Sequence, residues 1–329
     1  FIILALVTFV LAHRFEENYP AWTGLETWVA GAAASLLFFS SVLVHELSHS
    51  LLAIKKGIPV KGITLFIFGG ISHIAREANR PLTEFTIAII GPLSSLILGG
   101  LFIALYFATK GINDHLGAIS VTLGIINFSL GIFNLLPGFP LDGGRVMRSI
   151  IWAVSGNYWR ATILSARGGQ LTAFSLVGLG LALIFFSDLQ GVWIAAVGWF
   201  LIMASSATVK QFKLRQALQG YTVRDLIGNR YGLVPAGTTL AALATTVMSP
   251  PRQSFYVVMR GQHCLGLIAP AAISRISRDD RSTTSVEAVM QPLAEIPSVE
   301  GASSATKALD ILEEVPSAWL VVIQGDRVL

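Results

Sequence analysis

Long apolar stretches separated by short polar connections dominate the first two thirds of the chain. The apolar stretches fall at 1–12, about 24–54, 82–108, 116–136, 170–187 and 190–208. An apolar stretch of about 20 residues can cross the hydrocarbon core of a bilayer as an α-helix. The pattern therefore predicts a polytopic α-helical membrane protein with about six transmembrane helices, of which the first is truncated at Phe1.

The connection after the second apolar stretch has a different pattern. Residues 58–68 are rich in β-branched and aromatic side chains, and Gly69-Gly70 is typical of a turn. This pattern fits a short membrane-associated β-hairpin and, equally well, an ordinary loop. Because the edge of a hairpin can hold an extended peptide by strand addition, Gly69 and Gly70 are candidate substrate-binding residues.

Charged residues are concentrated in the last third of the chain. Residues 1–208 contain 11 Lys and Arg and 9 Asp and Glu, whereas residues 209–329 contain 12 and 10 in far fewer positions. We therefore predict a membrane domain over 1–208, a linker over 209–220 and a soluble α/β domain over 221–329.

The composition also indicates a membrane protein. The chain is 53% hydrophobic and 13% charged, with a mean hydropathy of +0.67, whereas a soluble domain carries about 25% charged residues. The net charge of +4 is modest, and the Lys and Arg residues of the membrane domain flank the apolar stretches. Their position indicates membrane orientation rather than nucleic-acid binding. Since they cluster in alternate connections, both termini and the soluble domain are predicted on the cytoplasmic side of the cell membrane.

The second apolar stretch contains the segment His45-Glu46-Leu47-Ser48-His49. Residues four apart share one face of a helix, so His45 and His49 can hold one metal ion together. Glu46 lies about 100° around the helix from His45, where it can reach a metal-bound water. Because ionisable groups are costly inside a bilayer, the segment is predicted to be a catalytic metal site.

Two histidines leave a catalytic zinc ion short of its usual three protein ligands. The other candidates are His13, His115, His263, Glu84 and Asp142. Asp142 stands out because Pro137, Pro140 and the glycine pair after it interrupt a helix at the end of the fourth apolar stretch. A broken helix at membrane depth is tolerated where it lines a cavity.

Asn134 opens this interrupted segment and has two interpretations. It can hydrogen-bond the substrate backbone or the oxyanion of the reaction, or it can cap the broken helix. In the third apolar stretch, Gly91, Pro92 and Gly99-Gly100 are interpreted as helix-packing residues rather than as part of the chemistry.

Four pieces of the sequence together resemble the site-2 protease family of intramembrane metalloproteases. They are the H-E-x-x-H pattern at 45–49, Gly69-Gly70, Gly91-Pro92 and the N-x-x-P-x-x-P-L-D-G-G segment at 134–144. The first pattern alone is moderately specific, but its combination with a distant L-D-G-G in an apolar chain is highly specific. No segment resembles a PDZ domain.

Residues 221–329 resemble a pair of cystathionine-β-synthase-type (CBS) modules. The segment 257–261 recurs at 321–325, an offset of 64 residues, and each copy follows a helix-like stretch. On this resemblance, we expect the second module to be incomplete at its C-terminus. Such modules often bind adenine nucleotides through a Thr and an Asp, and residues 266–272 lack both, which argues against a nucleotide at this copy.

The resemblance implies an intramembrane zinc metalloprotease that cleaves membrane-anchored protein substrates. It implies that zinc is held by His45, His49 and Asp142, and that Glu46 is the general base. The CBS modules would regulate the protease or engage its substrate. The lipid bilayer is an expected partner, and a homodimer is left open.

A different class of function is a CBS-regulated transporter or channel whose histidines line a path for a metal ion. A conduit needs no general base, and no inverted repeat of the apolar stretches is visible, so Glu46 and the L-D-G-G segment favour the protease. A non-catalytic sensor would bind its ligand through the CBS modules and show no proteolysis.

Overall fold

The computed structural model describes most of the chain. The described ranges are 1–66, 69–74, 78–186, 190–228, 231–248, 255–315, 319–324 and 327–328. They form two units, Phe1–Gln211 and Phe212–Leu329, which are described separately.

Seven helices begin within the described ranges of the N-terminal unit, and the last of them extends past Gln211. They are α1 (Ile2–Asn18), α2 (Gly24–Lys55), α3 (Pro81–Thr109), α4 (Asp114–Asn134), α5 (Asp142–Ser155), α6 (Tyr158–Phe185) and α7 (Gln190–Ala217). Five of them, α2, α3, α4, α6 and α7, are long and apolar enough to cross a membrane. The prediction of a multi-pass helical protein is confirmed. The predicted count of about six transmembrane helices is not confirmed, because α1 has only 17 residues. That α1 crosses the membrane remains a prediction.

Small residues allow these helices to approach closely. A Cβ atom added to Gly31 of α2 would lie 2.8 Å from the backbone nitrogen of Ala12 on α1, and one added to Gly99 would lie 3.0 Å from the Phe128 ring on α4. Such contacts are typical of helix packing within membranes. The packing interpretation is therefore confirmed for Gly99, whereas Gly100 is exposed and has open space around it.

The connection between α2 and α3 contains two antiparallel strands, β1 (Val60–Phe66) and β2 (Gly69–Ile74). Of the two alternatives left open by the sequence, the structure therefore adopts the hairpin. The prediction that Gly69-Gly70 forms the turn is wrong, because these residues pair with Phe66 and Leu65 and begin β2.

In the described part of the C-terminal unit, short helices are combined with two small sheets. Its helices are α8 (Val223–Leu226), α9 (Leu240–Met248), α10 (Pro270–Ser274), α11 (Val286–Val289) and α12 (Ala305–Glu314). Its strands are β3 (Tyr231–Pro235), β4 (Phe255–Arg260), β5 (His263–Ile268), β6 (Gln291–Pro292), β7 (Ser298–Glu300), β8 (Val321–Gln324) and β9 (Arg327–Val328). The sheet orders are β3-β4-β5-β6 and β7-β8-β9.

The two sheets of this unit repeat one arrangement. β3 pairs in parallel with β4 across the intervening α9, and β4 pairs in antiparallel fashion with β5. The second sheet follows the same plan. β7 pairs in parallel with β8 across the intervening α12, and β8 pairs in antiparallel fashion with β9. The two sequence copies that begin at Val257 and Val321 therefore lie on equivalent strands.

Candidate metal centre

The two histidines of α2 lie on one buried face of that helix. His45 and His49 are each 3% exposed, and their Nε2 atoms are 3.3 Å apart. This is the result of the four-residue spacing, which brings both rings to the same side of the helix.

Asp142 joins them from a distant part of the chain. α4 ends at Asn134 and α5 begins at Asp142, so the predicted interruption of the helix is confirmed. The Oδ2 atom of Asp142 lies 3.1 Å from the Nε2 atom of His45 and 3.1 Å from that of His49. The three predicted ligands are therefore brought together.

The spacing of these three atoms fits a tetrahedral zinc ion. A tetrahedron with metal–ligand distances of about 2.0–2.1 Å has edges of about 3.3 Å. The observed separations of 3.1, 3.1 and 3.3 Å are close to that edge. Two imidazole nitrogens and one carboxylate oxygen, with the fourth position left for water, are typical of a catalytic zinc site.

The outer nitrogens of both rings are held by α3. His49 Nδ1 donates to the backbone carbonyl of Ile87 at 2.6 Å, which directs its Nε2 atom at the site. His45 Nδ1 lies 2.8 Å from Ser95 Oγ. Partners of this kind fix the orientation of a metal-binding imidazole.

Gly91 of α3 provides space for the metal site. A Cβ atom added there would lie 2.5 Å from Cε1 of His49 and 2.8 Å from Nε2 of His45. Gly91 is therefore a packing residue, as expected, and the surface that α3 packs against at this point is the imidazole pair of α2. Ile87, Gly91 and Ser95 are spaced four apart on one helix face, and that periodicity was the signal available in the sequence.

The charge of the Asp142 carboxylate suits a metal ligand. Burial alone raises the pKa of this carboxyl group, but hydrogen bonds from His45 and His49 outweigh that effect, and the net result is a lowered pKa. The carboxylate is therefore ionised at neutral pH, as metal coordination requires.

Tight backbone packing holds the segment before Asp142. Gly138 has a φ of +131°, and a Cβ atom there would overlap the backbone of Gly169 on α6. A Cβ atom on Gly143 would likewise overlap the carbonyl of Leu136. The glycines of this segment thus allow the close approach of neighbouring backbone.

The remaining candidates occupy other positions. Glu46 is buried beside His45 on α2, and its role as general base remains a prediction. Asn134 is the last residue of α4, and its Nδ2 atom donates to the carbonyl of Leu130 within the same helix, so both of its interpretations remain predictions. His115 stacks on Trp22, and Glu84 is paired with Arg148. His13 lies near Glu16 and Glu17, and His263 lies on β5.

We expect the substitution Ser95→Ala to lower zinc affinity about 10–100-fold, because the outer nitrogen of His45 loses its partner. The measurement is competition with a chelator on the purified full chain. Ser94→Ala is the matched control, since the Ser94 hydroxyl donates to the Gly91 carbonyl of its own helix. Equal affinities in the two variants would contradict a role for Ser95 in orienting His45.

Known proteins that are similar to this chain are described as zinc metalloproteases. The model of Peptidase family M50 matches residues 33–121 and 112–176. A candidate zinc metalloprotease of Synechocystis is 31% identical over 98% of this chain and 86% of its own length. The candidate zinc metalloprotease Rip3 of Mycobacterium tuberculosis is 33% identical over 100% of this chain and 85% of its own length. A site-2 protease structure from Methanocaldococcus jannaschii shows 27% identity and a TM-score of 0.46, covering 63% of this chain and 88% of that one.

The apolar helices and the metal site define a multi-pass membrane metalloprotease that uses zinc. The chain belongs to Peptidase family M50, the site-2 protease family. The family assignment rests on the relatives that match along nearly the whole chain. It confirms the protease interpretation over the transporter or channel.

Proposed function

We propose that this protein cleaves membrane-anchored protein substrates inside the bilayer, with zinc held by His45, His49 and Asp142 and with Glu46 as general base. The observation that carries the proposal is the convergence of three ligand atoms, 3.1–3.3 Å apart, on a buried face of a candidate membrane span. Ionisable side chains that are buried within a membrane span usually belong to a functional site.

The chemistry follows from the types of residue at the site. A zinc ion, when bound, lowers the pKa of its water to about 7 and polarises the scissile carbonyl group. The Glu46 carboxylate takes the proton from the attacking water and delivers it to the leaving amine. His45 and His49 keep their Nε2 atoms directed at the site because α3 holds their outer nitrogens.

The β1–β2 hairpin is the proposed docking edge for the substrate. A peptide bond inside a helix is inaccessible to a metal site, so the substrate must unwind into an extended segment near the cleavage point. An extended segment can pair with a strand edge through its backbone. Since Gly69 and Gly70 lie at the start of β2, they belong to the strand that we propose the substrate meets. Asn134 is a further proposed contact for the substrate backbone.

We propose that the cleavage site, both termini and the C-terminal unit face the cytoplasm. The support is the distribution of Lys and Arg, which follow α2 at Lys55 and Lys56 and extend beyond the apolar part of α7 at Lys210 and Lys213. With this orientation, His45 and His49 lie in the cytoplasmic half of α2, within reach of water.

We further propose that the C-terminal unit is a pair of CBS modules that regulates the protease or engages its substrate. The repeated strand–helix–strand–strand order of its two sheets supports this assignment. The proposed domain limits remain 1–208, 209–220 and 221–329, with α7 helical through Ala217. The sequence argues against an adenine nucleotide at residues 266–272, and it leaves a homodimer open.

The substrate proposal is tested by co-expressing candidate single-span membrane proteins with the wild-type chain and with an Asp142→Ala variant. We expect cytoplasmic fragments of a true substrate with the wild type and none with the variant. Fragments that appear equally with both forms would come from another protease and would contradict the proposal for that substrate.

The substitution Asp142→Ala is itself expected to lower the zinc content of the purified protein to well below one ion per chain. The reason is that it removes one of three ligands and leaves two imidazoles, short of the set that catalytic zinc uses. Elemental analysis after dialysis measures this. Full zinc occupancy in the variant would remove Asp142 from the ligand set.

A further inference from the structure

A buried ion pair joins α3, which holds the outer nitrogens of both histidines, to α5, which begins at Asp142. Glu84 of α3 is 1% exposed and Arg148 of α5 is 7% exposed. Arg148 Nε donates to Glu84 Oε1 at 2.6 Å, and its Nη2 atom contacts the same oxygen. We propose that this pair positions Asp142 relative to the two histidines, an inference that rests on the proposed ligand set.

The guanidinium group of Arg148 contacts the chain on both sides of Asp142. Its Cζ atom lies 5.0 Å from the centre of the Phe139 ring, which belongs to the segment before Asp142. The same atom lies 4.8 Å from the ring of Tyr158 at the start of α6. Arg148 itself lies in α5, six residues after Asp142. Arg148 therefore links the segment that precedes Asp142 to α6, the helix that follows α5.

The partner of Arg148 lies on the helix that also orients the histidines. Glu84 precedes Ile87, which accepts from His49, by three residues, and Ser95 of the same helix contacts His45. α3 thus holds the imidazole pair through Ile87 and Ser95, and it holds α5 through Glu84. The distance from the carboxylate of Asp142 to the two rings is set through this one helix.

An ion pair is a costly way to join two helices in a buried place. Apolar side chains of similar volume hold helices together at least as well, because two charges must first be taken out of water. A charged pair instead fixes the relative orientation of the two side chains, because the planar guanidinium group meets a carboxylate in a defined geometry. A fixed geometry is what a ligand on a separate helix needs.

The expected effect of Glu84→Gln is a fall in zinc affinity of about 10–100-fold, as is typical for residues that support metal ligands. The substitution keeps the size of the side chain and removes its charge. Zinc affinity is measured by chelator competition on the purified full chain. Asn127→Leu is the control for loss of a buried polar contact, because Asn127 of α4 is fully buried and donates to Ser41. We expect its zinc affinity to match the wild type.

A double-substitution cycle separates positioning of Asp142 from a general loss of structure. If Glu84 acts through Asp142, then Glu84→Gln changes the zinc affinity of the Asp142→Ala protein by less than about twofold. An equal fall in affinity with and without the Asp142 carboxylate would overturn the proposal. So would an unchanged affinity for Glu84→Gln alone. If Asp142→Ala alone leaves zinc affinity unchanged, the ligand set of the proposed function fails instead.

Cobalt(II) absorption provides a readout that does not depend on proteolysis. We expect the visible bands of the cobalt-loaded protein to change in Glu84→Gln, since the Asp142 oxygen moves relative to the metal, and to stay unchanged in Asn127→Leu. Unchanged bands in Glu84→Gln would overturn the proposal. If Glu84→Gln cannot be purified as a folded protein, Arg148→Lys enters the same cycle, because it keeps the charge and loses the planar fork.

Discussion

The substitution Glu46→Gln is expected to abolish peptide-bond cleavage while leaving zinc bound. Glutamine has the size of glutamate but cannot take a proton from the attacking water, and general-base assistance contributes about 10²–10⁴-fold to rate. Glu46 is absent from the three converging ligand atoms, which belong to His45, His49 and Asp142. The loss should therefore appear in turnover and not in metal content.

The measurement compares single-turnover cleavage and zinc content in the wild type and the variant, purified in the same detergent. Glu46→Asp is an informative companion, because it keeps the carboxylate but shortens its reach, and we expect a smaller loss of rate. Retained turnover in Glu46→Gln would refute the general-base role. Loss of zinc together with activity would instead place Glu46 among the residues that hold the metal.

The second large effect is expected from Gly91→Ala. The added methyl group would occupy the space between the two imidazoles, 2.5 Å from Cε1 of His49 and 2.8 Å from Nε2 of His45, and closer still to Nε2 of His49. Both rings are held from behind by hydrogen bonds to α3, so they cannot yield without losing a partner. We expect zinc affinity to fall by about 100-fold or more, beyond the upper end of typical outer-partner effects.

Gly100→Ala is the matched control for this prediction. Gly100 lies on the same helix, nine residues further along, and a Cβ atom there meets nothing within 4 Å. Because alanine is also the better helix former, the control should retain zinc, activity and thermal stability. Wild-type zinc affinity in Gly91→Ala would show that the metal site tolerates the methyl group and that the glycine serves packing alone.

Much of the membrane unit could be predicted from the sequence because its signals are local. Apolar stretches of membrane length predict helices wherever they occur, and five of them are present as long apolar helices. The pair His45 and His49 is equally local, since a helix alone brings the fourth residue onto the same face. Asp142 was found because prolines and glycines mark the break in the helix before it.

The sequence was least informative where one element had to be matched to another. Gly69 and Gly70 have the composition of a turn, yet they pair with Phe66 and Leu65 as the start of a strand, and no single-segment pattern distinguishes these states. Gly91 was interpreted as a packing residue because a glycine in a membrane helix commonly is one. Its contact with the metal-binding rings depends on how α3 is rotated against α2.

The sequence by itself determined which residues can bind a metal ion. It also determined that the chain contains apolar segments long enough to cross a membrane. It did so because periodicity and hydropathy act within one segment. The tertiary structure decided that a carboxylate 93 residues after His49 lies 3.1 Å from both rings. It also decided that one helix, α3, makes room for the site, orients the rings and meets Arg148. Those relations depend on the packing of separate helices, which is set by side-chain shape across their contacts rather than by order along the chain.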